Sequence, residues 1–408
     1  MVLLFIIYRQ SNNLLSPLNL YILLWFFIVS LYTLRLIPYY ETLDETWLLI
    51  IFVPIIMWFG YLTIHLALPE VAFSYKANQT KIVDIKFILY LFGFLLVIRA
   101  ISVWLGIYVH YGSFLAAFTH GDDIYNLSRS GQWGPGIGFY IPVDYISMFL
   151  VGIYHQMRGK VDKVVVVVII ATLMTHIALQ SRFALLMTLS IYFAAYMGSN
   201  RAFIQVKFLT IVKYGFFAIL LIGIISYSRD LATHNRVTGE WGDYGLTALP
   251  SIYFYLTNGM AGLNEYIRIG VDEYDMIYTL DPFLRLYSIF DTSIVVNIYE
   301  TKSYYTPAPT IIATWLKFLI DDFGYVGTFI VLYFLGVVCK YSELKLKNKL
   351  LIFWISIYAH LFVIFILSFF GYAFFIASFW YSLILASILG LLIDSGVMHI
   401  ALSRYFKK

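Results

Sequence analysis

The amino-acid sequence predicts an all-α polytopic membrane protein of about ten spanning helices (10–12), with a large helical loop on one face. Three observations carry this. Of 408 residues, 61% are hydrophobic and only 12% charged, whereas soluble domains run about 45–50% apolar and about 25% charged. Mean hydropathy is +0.82. The apolar residues fall into runs of roughly 17–24, the length that crosses about 30 Å of hydrocarbon at about 1.5 Å per residue. The basic residues then cluster in alternate connections, as the positive-inside rule requires.

The predicted spans are, in order, Leu18–Pro38, Trp47–Leu68, Lys86–Val109, Ile137–Met157, Lys163–Leu179, Phe183–Gly198, Lys207–Tyr227, Gly324–Tyr341, Leu350–Phe370 and Ala373–Asp394. Ahead of them, Met1 to Tyr8 is apolar but too short to span and lacks a small-residue cleavage site, so an interfacial segment is expected rather than a signal peptide. One set of connections carries Arg9, Lys76, Lys81, Arg158, Lys160, Lys163, Arg201 and Lys207, then Lys340, Lys345, Lys347, Lys349, Arg404, Lys407 and Lys408. These make up 15 of the 27 basic residues. That face, with both termini, is assigned to the cytoplasm. Its longest connection, Pro69 to Ile85, has 17 residues, too few for a nucleotide-binding domain. The single cysteine, Cys339, permits no disulfide framework.

The opposite face holds the long loops. His110 to Gly136 has 27 residues, and Arg229 to Phe323 has 95 with a net charge of about −6. The expected organisation is an N-terminal bundle over 1–228 with an outer loop at 110–136, a large outer loop over 229–323, and C-terminal spans with a basic tail over 324–408. Loops of this length are functional or disordered, and the Tyr-rich, helix-compatible stretches Leu246–Ile269 and Met276–Tyr299 argue against disorder. A pair of such stretches dipping into the bilayer would add two spans without changing the direction of those that follow.

Chemistry is therefore expected on the outer face. Arg182 sits in a very short outer turn, and Arg229, Asp230, His234, Asn235 and Arg236 follow where Lys207–Tyr227 emerges. Guanidiniums bind phosphate oxygens bidentately, so Arg182, Arg229 and Arg236 suit a pyrophosphate; an arginine capping its own helix is the plainer reading of Arg182. In Asp321-Asp322-Phe323-Gly324, Asp322 is expected to N-cap a helix starting at Gly324, which leaves Asp321 for another role. The apolar segment Ile311–Ile320 before it is too short to span and reads as re-entrant. A general base near an acceptor hydroxyl is expected from His234 or Asp321. Asp122-Asp123 suits a cation, a base or a solvated turn. With no spaced His/Cys cluster and no His-Glu-x-x-His, neither a metal nor another cofactor is expected. Arg99 and Asp144 lie inside spans, where charges must pair or line a polar cavity. His65, His176 and His360 read as core histidines. The ten tyrosines between Arg229 and Pro309, with Trp241, read as an interfacial belt or as faces on which sugar rings stack.

The order of these features resembles the O-antigen polymerase (Wzy) family of bacterial surface polysaccharide synthesis. Four patches carry the resemblance. The first is the hairpin Gln180-Ser181-Arg182-Phe183-Ala184-Leu185-Leu186, and the second is the large loop opening on Arg229. The third runs Tyr255-Leu256-Thr257-Asn258-Gly259-Met260-Ala261-Gly262-Leu263-Asn264. The fourth extends from Pro309-Thr310-Ile311 to Asp321-Asp322-Phe323-Gly324-Tyr325-Val326-Gly327. An Arg-x₁₀-Gly pattern found in some members starts at no arginine here. The resemblance implies a fold like the GT-C-type glycosyltransferases in the bacterial inner membrane, with a periplasmic active face. It implies a polymerase joining undecaprenyl-pyrophosphate-linked oligosaccharide repeat units. His234 and Asp321 would be catalytic, while Arg182, Arg229, Arg236, Asp322, Tyr255, Asn258 and Trp241 would bind substrate. The implied partners are the lipid-linked oligosaccharide, the bilayer and a polysaccharide chain-length regulator, with no nucleic acid. A lipid-linked oligosaccharide flippase is the first competing class, disfavoured by the one-sided loop. An O-antigen ligase is the second, sharing the outer-loop design with a different acceptor.

Overall fold

Helix boundaries follow from caps and turn residues. The computed structural model describes residues 16–68, 79–130, 137–200, 248–270, 277–287, 304–306, 309–310, 313–348 and 351–400. Helix α1 (Pro17–Thr33) starts with proline in its first turn and Ser16 as N-cap, whose hydroxyl accepts the Asn19 N–H. It stops short of the predicted Pro38, because Arg35 takes a left-handed φ of 50°. Next come α2 (Asp44–Ala67), α3 (Gln79–Tyr111), the short α4 (Ala116–Thr119), α5 (Gly121–Ser130), α6 (Ile137–Arg158), α7 (Lys163–Ala178) and α8 (Arg182–Gly198). Helix α7 carries Val164 to Val168 in succession, a β-prone run. In hydrocarbon only an internally hydrogen-bonded backbone is stable, so the run is helical, and Asp162 caps it through the Val165 N–H.

The chain continues with α9 (Ala248–Ile269), α10 (Ile277–Tyr287), a two-residue antiparallel pair β1 (Tyr304–Tyr305) and β2 (Pro309–Thr310), α11 (Trp315–Asn348), α12 (Ile352–Leu367), a 3₁₀ turn at Ala373–Phe375 and α13 (Ala377–Asp394). Nine of the ten predicted runs coincide with helices; Lys207–Tyr227 lies outside the described residues. Asp44–Ala67, Lys81–Tyr111, Trp315–Lys347 and Ala377–Asp394 are long and apolar enough to cross a membrane, and Pro17–Thr33, Lys163–Ala178, Phe183–Gly198 and Ile352–Leu367 are shorter apolar helices. The protein is an all-α membrane protein.

One expectation is corrected at α11. Helical structure starts already at Trp315, inside the segment Ile311–Ile320 read as re-entrant, and Trp315–Asn348 comprises two helices meeting at a kink at Gly324, where φ is 65° and ψ 179°, so a helix does begin after that glycine as expected. Only glycine adopts that conformation readily. Asp322 nevertheless does not cap the helix after Gly324, because its carboxylate accepts from Tyr278 and Thr279 instead.

The chain divides into two compact units. One comprises 1–73, 253–349 and 360–381; the other comprises 74–252, 350–359 and 382–408. In the first, α2 lies against α11 with glycine at the closest approach: a Cβ on Gly60 would run into the Tyr333 carbonyl, and one on Gly336 into that of Met57. Tyr61 donates to Glu343 across the same contact at 2.8 Å, and the Lys340 ammonium lies over the Tyr61 ring at 4.9 Å.

In the second unit α3 packs on α6 and α7, and α6 on α8. The charges predicted to need partners have them. Arg99 pairs with Asp144, both fully inside, and His176 Nε2 stands 3.5 Å from the same carboxylate oxygen. Gln180, with φ 52°, closes the turn between α7 and α8, and its amide donates to the carbonyls of Ala117 and Ile177. At the other end Asp394 accepts from Lys81 at 2.6 Å and from the Phe353 N–H at 3.1 Å.

Candidate functional site

Helix α9 organises the site, and its spacing explains how. Residues 258, 261, 265 and 268 are three or four apart, so Asn258, Ala261, Glu265 and Arg268 share one face. Asn258 has both ends of its amide engaged: Thr306 donates to Oδ1 at 2.9 Å, and Nδ2 donates to Thr310 at 2.5 Å. This fixes the β1–β2 pair against the helix.

Asn264, beside the stripe, does the same for the segment between α1 and α2. Its Oδ1 accepts from the Leu43 N–H at 2.9 Å and the Thr46 hydroxyl at 3.0 Å, while Nδ2 donates to the Glu41 carbonyl at 3.1 Å. Tyr39 and Thr257 share a hydrogen bond of 2.8 Å, and Tyr253 donates to the Leu31 carbonyl at 2.9 Å. Arg268 donates to the Glu41 carbonyl and lies 5.3 Å above the Tyr40 ring.

Between these anchors lies a narrow crevice lined by Tyr32, Tyr40, Ala261, Asn264, Glu265 and Thr306. Glu265 is 7% exposed. Among the described residues its Oε1 has no hydrogen bond, although Arg268 Nε is 3.3 Å away. Burial, partly offset by the Arg268 charge, holds its carboxyl above the usual carboxylate range. A carboxyl so placed accepts a proton more readily than a solvated one, which is what base chemistry requires.

The aspartates at the head of α11 face other tasks. Asp321 accepts the Tyr266 phenol on one oxygen at 2.6 Å and pairs with Lys317 through the other at 2.7 Å. The ammonium also donates to the Tyr278 hydroxyl at 3.0 Å. Burial and the Asp321 carboxylate together push the Tyr266 phenol well above its ordinary pKa. Asp322 accepts the Tyr278 N–H at 2.9 Å, and the Thr279 N–H and hydroxyl at 2.8 and 2.6 Å. Those N–H groups open α10, so Asp322 is a cap supplied to α10 from a distant part of the chain, not to the helix it was expected to start. The Tyr372 hydroxyl completes the chain by bonding Thr279 at 2.6 Å.

Asp321, Asp322, Tyr255 and Asn258 thus fall in one unit, with the Tyr255 ring packed 5.2 Å from Phe370. Arg229, His234, Arg236 and Trp241 lie outside the described residues. Arg182 opens α8, and its side chain too lies outside them. Asp123 accepts the Tyr111 hydroxyl at 2.7 Å. Among the described residues no group of three or more His, Cys, Asp or Glu is placed to hold a metal ion.

Glu265 and Arg268 were missed by sequence reasoning. The one-face spacing of Asn258, Glu265 and Arg268 was the available signal. No local pattern, however, says that the 34–43 segment returns to cover that face and removes Glu265 from water. No protein-family model, no curated protein and no solved structure matches the chain, so the site is read from its own geometry.

Proposed function

We propose that this protein is a polymerase that joins undecaprenyl-pyrophosphate-linked oligosaccharide repeat units into a surface polysaccharide. It would act at the periplasmic face of a bacterial inner membrane, with about ten spans and a GT-C-like arrangement. One observation carries the reading. The 34–43 segment, the end of α9 and the 304–310 pair are all assigned to the outer side by charge bias, and Asn258 and Asn264 hold them together beside Tyr32, Tyr40 and the Glu265–Arg268 pair. Tyrosine faces with polar edges suit sugar rings, and clustering at the outer ends suits a substrate whose lipid stays in the bilayer. In this reading Arg182, Arg229 and Arg236 hold the leaving pyrophosphate, since guanidiniums neutralise charge as it develops. A chain-length regulator would be a protein partner.

Deletion of the gene tests it. The expected phenotype is surface lipid bearing a single repeat unit. Lipid bearing none would instead indicate a ligase, and repeat units stranded on the cytoplasmic side a flippase; either result rejects the polymerase.

A further inference from the structure

We propose that α10 is an interfacial helix, lying on the outer leaflet of the bilayer with Leu280, Phe283, Leu284 and Tyr287 set among the lipid chains and glycerol groups. This holds whichever reaction the protein performs.

Helix α10 is built inside out. Leu280, Phe283, Leu284, Leu286 and Tyr287 are 37–55% exposed, while Asp281, the carboxylate of the helix, is 1% exposed. Positions 280, 283, 284 and 287 are three or four apart and form one stripe along the helix. A helix resting on a protein in water turns such a stripe inward and its charges outward. Here the covered side is the polar one. Asp322 accepts the Tyr278 and Thr279 N–H groups there, and Asp281 pairs with Arg285 at 2.7 Å. An outward apolar stripe of this kind matches a lipid surface.

Two attachments set the depth of the helix. The first is Asp322, two positions before the kink at Gly324. Beyond that kink residues 325–348 of α11 reach about 36 Å at ~1.5 Å per residue, against about 30 Å of hydrocarbon. That arm crosses the bilayer alone, which leaves Asp322 at the surface. An exposed apolar stripe of Val326, Ile330 and Phe334 begins on α11 four positions past Asp322, so the lipid-facing surface starts beside α10.

The second attachment is Phe283, whose ring lies 5.2 Å from that of Trp380, with Arg285 above the Phe375 ring at 6.0 Å. Trp380 stands in the first turn of Ala377–Asp394, another helix able to cross the membrane, and tryptophan is enriched at the membrane–water boundary. At ~1.5 Å per residue the 11 residues of α10 measure about 16 Å, half of a crossing. A helix of that length fastened to the outer ends of two spans lies along the surface.

The test uses full-length protein in nanodiscs of phosphatidylethanolamine and phosphatidylglycerol. Leu284→Cys, Lys160→Cys and Ile330→Cys, each in a Cys339→Ser background, carry a bimane fluorophore. All three positions are exposed, so the label disturbs no packing; position 160 reports water and position 330 lipid. A nitroxide near the lipid headgroup should quench position 284 at least about twofold more than position 160, and aqueous iodide about twofold less. A mid-chain nitroxide should quench position 330 but act more weakly on 284 than the headgroup-proximal one. Iodide quenching at 284 equal to that at 160 overturns the inference, because the stripe would then meet water. Weak quenching at 284 by every probe overturns it as well, since a second copy or another stretch of the chain would then cover the stripe. Stronger quenching at 284 by the mid-chain nitroxide would put α10 in the bilayer core and reject a surface position.

Discussion

At the scale of residues, burial of a carboxyl has a thermodynamic signature as well as a chemical one. Glu265 has a folded pKa above its unfolded value near 4.5. Its contribution to stability is therefore full below that value and lost as pH rises through the folded pKa. At neutral pH the ionised group weakens the fold, so Glu265→Gln should raise the thermal midpoint near pH 7 and leave it almost unchanged near pH 4. A variant less stable than wild type near pH 7 would contradict this. Asp322, whose carboxyl pKa burial also raises, stabilises through the groups it accepts from. Asp322→Ala strands two N–H groups and a hydroxyl at α10, a loss of about 1–3 kcal/mol. Asp322→Asn keeps one acceptor and should lose less; limited proteolysis of the 277–287 stretch would separate them. The identity of Asp322 as a cap was legible from the sequence, but not which helix it serves. A residue two positions before a glycine names the nearest helix, whereas the actual partner lies 43 residues back.

At the scale of elements, the apolar runs located the helices because lipid leaves the backbone no other internally bonded form that a single segment can take. Their ends were less legible. Helix α1 ends at Thr33 because the loop beyond it is held by Tyr253, Asn264 and Arg268 of α9, all more than 200 residues away in sequence. The start of α11 was hidden because Gly324 reads as a boundary, and it is one conformationally, although helix stands on both sides of it. Gly324→Ala would place a Cβ at φ 65° and should cost about 1–3 kcal/mol. The α2–α11 contact should be more sensitive. Gly336→Leu inserts a side chain where a single Cβ already meets the Met57 backbone, so little folded protein should survive detergent extraction. An extraction yield equal to wild type would show that these helices can separate without loss.

At the scale of the whole molecule, sidedness is the premise of every functional statement, and the structure supplies exposed positions at which to test it. Cysteine accessibility should be read at Lys160→Cys and Tyr305→Cys, both exposed positions, in a Cys339→Ser background. Asp281 does not suit such a test, since it is buried against Arg285. An impermeant thiol reagent applied to intact spheroplasts should label position 305 and spare position 160; the reverse pattern inverts the topology. The overall class was legible because composition and run length reflect the solvent. The crevice was not, because it is assembled from stretches as far apart as Tyr32 and Thr306, and chain topology alone decides which of them meet.

The cap that Asp322 supplies to α10 also sets an order of events during synthesis. The ribosome makes Tyr278 and Thr279 long before their acceptor, which follows 43 or 44 positions later. Until α11 has entered the membrane, the first turn of α10 has only water to bond. A nascent chain stopped before residue 322 should therefore leave this stretch open to protease, and one extended through α11 should protect it. The 277–287 stretch is in this sense completed from its far end, by the helix that follows it.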